Sequence, residues 1–276
     1  VQRSNVRTLL SIAGFDPSSG AGVTADLAVF AAHGALGISC ITALTVQSTL
    51  GVRAVEPVPA SILRETLTCL CDDLPPDAIK IGMLATEENV RVVVDFLRAR
   101  EGRLLNIPVV LDPVIRSSSG RELLTVQGIE VLKRQLLPLV SWITPNLDEL
   151  AVLTGDTASS HADVEDVARG LQRETPRLGV VVTGGHFVAQ ADDLVLAPDG
   201  RADWLPGELI ASTSTHGTGC AFSSAFACRL AEGLSGVEAA RAAKEYVAEG
   251  IRRATPVGRG HGPLNLRWPI DGRPEK

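Results

Sequence analysis

The segment Ser214-Thr215-His216-Gly217-Thr218-Gly219-Cys220 brings two glycines, small hydroxyl residues and a thiol together, and runs directly into the apolar Ala221-Phe222-Ser223-Ser224-Ala225-Phe226. A turn of this kind leaves backbone N–H groups of Gly217, Gly219 and Cys220 free at a helix N-terminus, where the helix dipole favours negative charge. Glycine lets such a backbone approach a ligand closely. A cysteine in the first turn is predicted to lose its proton more readily than a free thiol. An anion cradle and a base would then share one point. The competing reading is a glycine-rich connection with Cys220 as a small core residue, since buried free cysteines are common.

Other polar residues tip the balance. Asp16, Gln47, Asp112, Asn146, Glu149 and Thr183 each fall just after an apolar run, where an open α/β sheet places its ligand site. Asn146-Leu147-Asp148-Glu149 reads equally well as a helix cap with acids in its first turn. Asp112 and Glu149 near a phosphate site also suit magnesium, held through oxygen and water. Gly20-Ala21-Gly22-Val23-Thr24-Ala25 matches a dinucleotide fingerprint, but a long turn separates it from its strand and the next strand ends in Gln47 without the required acid. No glycine-rich loop ends in Lys-Ser or Lys-Thr, so a P-loop is excluded. His216 and His186 have no catalytic spacing and read as hydrogen-bonded loop residues.

The elements that must position these groups alternate. Strands are predicted at Thr8–Ala13, Gly37–Thr45, Ala78–Ile81, Val109–Leu111, Ser141–Ile143 and Gly179–Val182. Helices are predicted from about Ala21 to His33, Ser61 to Asp73, Glu87 to Arg100, Gln127 to Leu137, Leu147 to Leu153 and Asp163 to Glu174. Short antiparallel strands follow within Leu194–Leu209, and helices at Cys220–Glu232 and Val237–Ala254 close the chain. Such alternation implies a mostly parallel central sheet with helices on both faces and a small antiparallel flap. Nothing in the composition divides residues 1–276, so one domain is expected.

Composition narrows the partners. A net charge of −6, without a Lys/Arg cluster, argues against nucleic acid or an anionic membrane, and 4% aromatic residues offer few stacking platforms. No apolar run reaches spanning length and Val1-Gln2-Arg3-Ser4-Asn5 lacks a signal-peptide layout. Cys40, Cys69, Cys71, Cys220 and Cys228 match no zinc spacing and read as reduced thiols, which points to the cytoplasm.

Ser11-Ile12-Ala13-Gly14-Phe15-Asp16-Pro17-Ser18-Ser19-Gly20-Ala21-Gly22, followed by Ala25-Asp26-Leu27, resembles the opening of the hydroxymethylpyrimidine/phosphomethylpyrimidine kinases of thiamine biosynthesis. Ile41–Gln47, Lys80–Leu84, Asp112-Pro113-Val114, Thr144–Glu149, Gly184-Gly185-His186, Thr215–Cys220 and Gly260-His261-Gly262-Pro263 continue the resemblance in order, from about Leu9 to Leu264. It implies a ribokinase-like fold that dimerises with itself. The implied activity moves the γ-phosphate of ATP, with magnesium, to the hydroxymethyl group of a small pyrimidine and then to its monophosphate.

Position by position, the resemblance implies that Gly14, Asp26 and Gln47 hold the aminopyrimidine, with Met83 lining its pocket. A carboxylate and an amide offer the acceptors and donors such a ring edge needs. Cys220 is implied to activate the hydroxymethyl oxygen, and Gly217 and Gly219 to form the anion hole. Asp112, Asn146 and Glu149 fall around the triphosphate, with Asp112 and Glu149 as magnesium ligands. Two lysines of the family pattern are absent: Thr183 stands before Gly184-Gly185-His186, and Ile115-Arg116-Ser117-Ser118-Ser119-Gly120 follows Asp112-Pro113-Val114. Arg116 is the candidate substitute for the missing charge. The pyridoxal kinases, which share the fold, are the enzyme alternative, and a catalytically weak pyrimidine-binding protein is the non-enzyme alternative.

Overall fold

The computed structural model describes residues 6–100, 102, 107–117, 119–184 and 191–271. Strands β1 (Thr8–Phe15), β2 (Leu36–Ser48), β3 (Gly51–Pro57), β4 (Ala78–Ile81), β5 (Val109–Leu111), β6 (Trp142–Ile143), β7 (Gly179–Val182), β8 (Asp193–Leu196) and β9 (Ala202–Leu205) form one sheet in the order β3-β2-β1-β4-β5-β6-β7-β8-β9. Pairings from β2 through β1, β4, β5 and β6 to β7 are parallel. The β2–β3, β7–β8 and β8–β9 pairings are antiparallel.

Two strands depart from the sequence reading. β2 continues past Thr45 to Ser48 and turns at Thr49-Leu50 into β3, which the sequence reading lacks. That turn has none of the Asn-Gly or Asp-Gly chemistry that marks a hairpin, and much of β3 is exposed. The antiparallel β8 and β9 extend one edge of the sheet and β3 the other, and the turn of the β2–β3 hairpin, Gln47 to Val52, lies on the ligand side.

Helices α1 (Gly22–Ala32), α2 (Ala60–Asp73), α3 (Glu87–Ala99), α4 (Val126–Val131), α5 (Leu147–Thr154), α6 (His161–Glu174), α7 (Thr218–Ala231), α8 (Gly236–Arg252) and α9 (Trp268–Asp271) cover the sheet. Residues of α1, α7 and α8 pack with Leu9, Ala78 and Val110 on one face; α2, α3, α5 and α6 pack with Leu10, Ile12, Ile79 and Ile81 on the other. Neighbouring strand residues therefore enter opposite cores, as the two-residue pleat requires. The helix expected to run to Leu137 instead passes from α4 through a π turn at Leu132–Leu136 and a 3₁₀ turn at Leu137–Leu139, where Pro138 cannot continue an α-helical ladder.

Strand order reverses between β1 and β4: the chain leaves β1 toward β2 on one side and resumes at β4 on the other. Ligands of open α/β sheets bind outside the strand C-termini at such a point. Gly14 to Asp16 and Gly82-Met83 lie at those ends.

Candidate active site

The anion cradle forms as the sequence suggests. α7 starts after Gly217, which has φ 80°, and no side chain caps it. A Cβ on Gly217 would lie 1.8 Å from the Gly20 carbonyl oxygen, so only glycine fits both the conformation and the contact. At Gly219 a Cβ would meet nothing within 4 Å, which leaves open space over the first turn.

One cavity of about 250 Å³ lies above this turn, lined by Gly14, Gln47, Met83, Asp112, Arg116, Asn146, Glu149, Thr183, Gly217, Gly219 and Cys220. A second, of about 890 Å³, shares Thr183, Thr215, Thr218 and Gly219 with it. It extends toward α8, where Lys244 pairs with Asp193 at 2.8 Å and donates to the Ala191 carbonyl. The α7 N-terminus thus stands at the junction of two cavities, where a phosphoryl group passing from one to the other would meet its free N–H groups.

Asp26 lies elsewhere. It projects from α1 toward the sheet, completely buried, and is absent from the cavity wall. Ser11 Oγ donates to Oδ2 at 2.6 Å, Ser224 Oγ to Oδ1 at 2.8 Å, and Lys80 Nζ to both oxygens at 2.9 and 3.0 Å. The expected direct contact between Asp26 and the pyrimidine does not fit this geometry, because the carboxylate is enclosed beneath the pocket floor by its own donors.

Lys80 is the residue that sequence reading missed. It is fully buried in β4, lines the first cavity, and approaches Asp112 Oδ2 at 3.9 Å as well as Asp26. Burial disfavours the ammonium, but the charge and hydrogen bonds of Asp26, with the charge of Asp112, outweigh it and hold Lys80 above the ordinary lysine range. The signal was present: a lysine inside a short strand covered on both faces must have a buried counter-ion.

The Cys220 thiol is a correction of a different kind. It is pushed up to about 12, by burial first, with Asp112 and Asp26 adding to the effect and Lys80 and an N–H from Gly22 opposing it. The helix N-terminus and glycine amides do not overcome the burial and the neighbouring carboxylates. Cys220 is a thiol in the unliganded protein, hydrogen-bonded to Asp112.

Asp112 and Glu149 form a buried acidic pair. Burial raises both carboxyls; Lys80 and Ser223 partly offset it at Asp112, while the Asp112 charge helps push Glu149 up to about 8. Glu149 is positioned by a reciprocal cap: its Oε2 accepts from Asn146 N at 3.0 Å and Asn146 Oδ1 accepts from Glu149 N at 2.9 Å. Both readings of the Asn146 segment therefore meet in one place, the cap holding the acid that faces the cavity. Among the described residues no three His, Cys, Asp or Glu side chains gather to hold a metal unaided. Two carboxylates whose repulsion a divalent cation would relieve do fit magnesium, which takes its remaining oxygens from phosphates and water.

Thr183 continues the backbone ladder, its N–H donating to Pro145 O at 2.9 Å. Arg116 is exposed at the cavity wall, with no hydrogen bond or ion pair to its side chain among the described residues. Gly185 and His186 lie outside the described residues, whereas His216 bonds to Asp16 at 2.7 Å and is the hydrogen-bonded loop histidine expected. No helix among the described residues is long and apolar enough to cross a membrane.

Sheet order, glycine turn and adjoining cavities agree with the ribokinase-like kinase fold that the resemblance implies. A family model for phosphomethylpyrimidine kinase matches residues 16–265. The hydroxymethylpyrimidine/phosphomethylpyrimidine kinase of Haemophilus influenzae is 37% identical over 266 residues, covering 95% of this chain and 97% of the relative. The crystal structure of phosphomethylpyrimidine kinase from Clostridium difficile superposes with a TM-score of 0.77 at 34% identity, covering 89% of this chain and 99% of that one. A pyridoxal kinase from Staphylococcus aureus, in complex with AMP-PCP and pyridoxal, gives a TM-score of 0.83 at 29% identity, covering 95% and 94%. The chain belongs to the phosphomethylpyrimidine kinase family.

Proposed function

We propose that this kinase transfers the γ-phosphoryl group of ATP to the hydroxymethyl group of 4-amino-5-hydroxymethyl-2-methylpyrimidine, and then a second phosphoryl group to the monophosphate. The carrying observation is the junction itself: a small cavity with ring-binding groups and a larger one meet at the uncapped α7 N-terminus.

Gly14, Gln47 and Met83 surround the pyrimidine in this reading, while Asp26 acts from below by holding Lys80 in place. The N–H groups of Gly217, Gly219 and Cys220 receive the transferred phosphoryl, a step governed by positioning and charge stabilisation. Cys220 orients the attacking hydroxyl. In a loose transition state that hydroxyl loses its proton late, and the bond from the thiol to Asp112 gives the proton a path away from Sγ. Asp112 and Glu149, with Asn146 fixing the latter, are the residues that would hold magnesium, which when bound neutralises charge on the phosphates. Arg116 supplies the cation that Thr183 cannot. The larger cavity takes the nucleotide. The protein works as a cytoplasmic homodimer, and Leu44, Val46 and Leu50, about half exposed on or beside the β2–β3 hairpin, are the apolar surface offered for pairing.

A coupled assay with ATP, magnesium and hydroxymethylpyrimidine, its monophosphate or pyridoxal tests the reading. Turnover with both pyrimidines is expected, at a kcat/KM well above that for pyridoxal. A preference for pyridoxal would replace it with the vitamin B6 alternative, for which the higher TM-score of the pyridoxal kinase is the supporting observation; no turnover alongside tight pyrimidine binding would favour a sensor.

A further inference from the structure

A chain of polar groups in the pocket wall, Asp16–His216–Gln47–Thr45, includes the ring-contacting Gln47, but its other three members have no role in the reading above. Asp16 Oδ1 accepts from Ser18 N at 2.8 Å and Ser18 Oγ at 2.7 Å, and Oδ2 accepts from Ala21 N at 2.9 Å. Burial alone would raise this carboxyl, but bonds from His216 and Ser18 hold it below its ordinary value. It is an acceptor only. His216 Nε2, 2.7 Å from Oδ2, must therefore carry a proton.

That nitrogen also meets the Gln47 amide, at 3.0 Å from Nε2. Two N–H groups cannot satisfy each other. The other end of the amide has the matching conflict: Thr45 Oγ1 has one proton, donated to the Phe15 carbonyl at 2.9 Å, yet it faces Gln47 Oε1 at 3.2 Å. A half-turn of the amide removes both conflicts without changing its shape. Gln47 Oε1 then shares the single His216 Nε2 proton with Asp16 Oδ2 in a three-centre bond, and Gln47 Nε2 donates to Thr45 Oγ1.

We propose that His216 is a positioning residue that sets the direction of the Gln47 amide, and thereby selects a ring nitrogen beside an exocyclic amine over a pyridine carrying a hydroxyl. The inference rests on the reading above that Gln47 contacts the ring. With the amide locked, its second N–H and the second lone pair of its oxygen keep a fixed order along the cavity wall. An aminopyrimidine edge offers an acceptor and a donor side by side and satisfies both. The hydroxyl carbon of pyridoxal has no ring nitrogen next to it, so an N–H of the site goes unpaired, which is how polar sites reject near-isosteres. Locking before binding also spares the ligand the ordering cost of that side chain. Space for the ring is built in: a Cβ on Gly20 would lie 2.2 Å from His216 Cδ2.

The test compares wild type, Gln47→Ala, His216→Phe and the double variant, measuring KM and kcat for hydroxymethylpyrimidine and for pyridoxal, and KM for ATP. Phenylalanine keeps a ring against Gly20 and removes the N–H. His216→Phe should raise the pyrimidine KM about tenfold, with kcat and the KM for ATP within about twofold and pyridoxal little affected. In the Gln47→Ala background the same change should add less than about twofold. Thr45→Val, which removes the partner at the other end of the amide, should erode the same preference and serves if His216→Phe does not fold. Equal effects on both substrates, or the same effect with and without Gln47, would mean a merely structural histidine and overturn the proposal. If Gln47→Ala alone leaves the pyrimidine KM at wild type, the assignment of Gln47 fails first and the inference falls with it.

Discussion

The buried pair beneath the pocket makes a quantitative test of how this fold holds its chemistry. Lys80→Met would leave the Asp26 carboxylate fully buried with only the Ser11 and Ser224 hydroxyls, and would strip Asp112 of its nearest cation. Asp26→Asn would leave the Lys80 ammonium with Asp112 at 3.9 Å, beyond hydrogen-bond reach. Breaking a buried ion pair on one side costs roughly 3–5 kcal/mol, so each single variant should lose about that much. The double variant places a neutral amide beside a thioether. Its Ser11 and Ser224 partners can each donate or accept, and the raised Asp112 carboxyl can take a proton cheaply once Lys80 is gone. A loss of about 1–2 kcal/mol is expected for the double variant, far below the sum of the two singles. Urea unfolding followed by circular dichroism at neutral pH measures all four proteins, with equal m-values required for comparison. Additivity within about 0.5 kcal/mol would refute the reasoning, because it would mean that Asp26 and Lys80 do not depend on one another.

Iodoacetamide should modify Cys69, the exposed thiol, ahead of Cys220, whose proton is held up to about 12, and mass mapping of the first labelled peptide decides the order. Arg116→Ala should lower kcat about tenfold or more and leave the pyrimidine KM nearly unchanged, since it acts on charge at the transferred phosphoryl; wild-type kcat would remove Arg116 from that role. Glu149 titrates near 8 when folded, against an ordinary value near 4.5, so the unfolded state releases its proton first as pH rises. Its contribution to stability is complete below the unfolded value and lost as pH climbs through about 8. Melting temperatures measured in chelator from mildly acidic to mildly alkaline pH should therefore fall more steeply for wild type than for Glu149→Gln; parallel curves would contradict the shift.

Sequence alone determined the alternation of strands and helices, because a parallel sheet buried on both faces needs continuous apolar strands and amphipathic helices between them. It also determined the glycine turn at Gly217, since only glycine allows that backbone, and the cap that places Glu149, since Asn146 and Glu149 interact locally. What lay between elements distant in the chain was decided by packing. The resemblance sets Asp26 against the pyrimidine, yet the helical repeat turns it inward, where Lys80 from β4 meets it. Local helix electrostatics predicted a reactive Cys220; burial and two carboxylates brought from α1 and the end of β5 reversed that. Desolvation depends on everything that surrounds a group, and no local stretch of sequence carries that information.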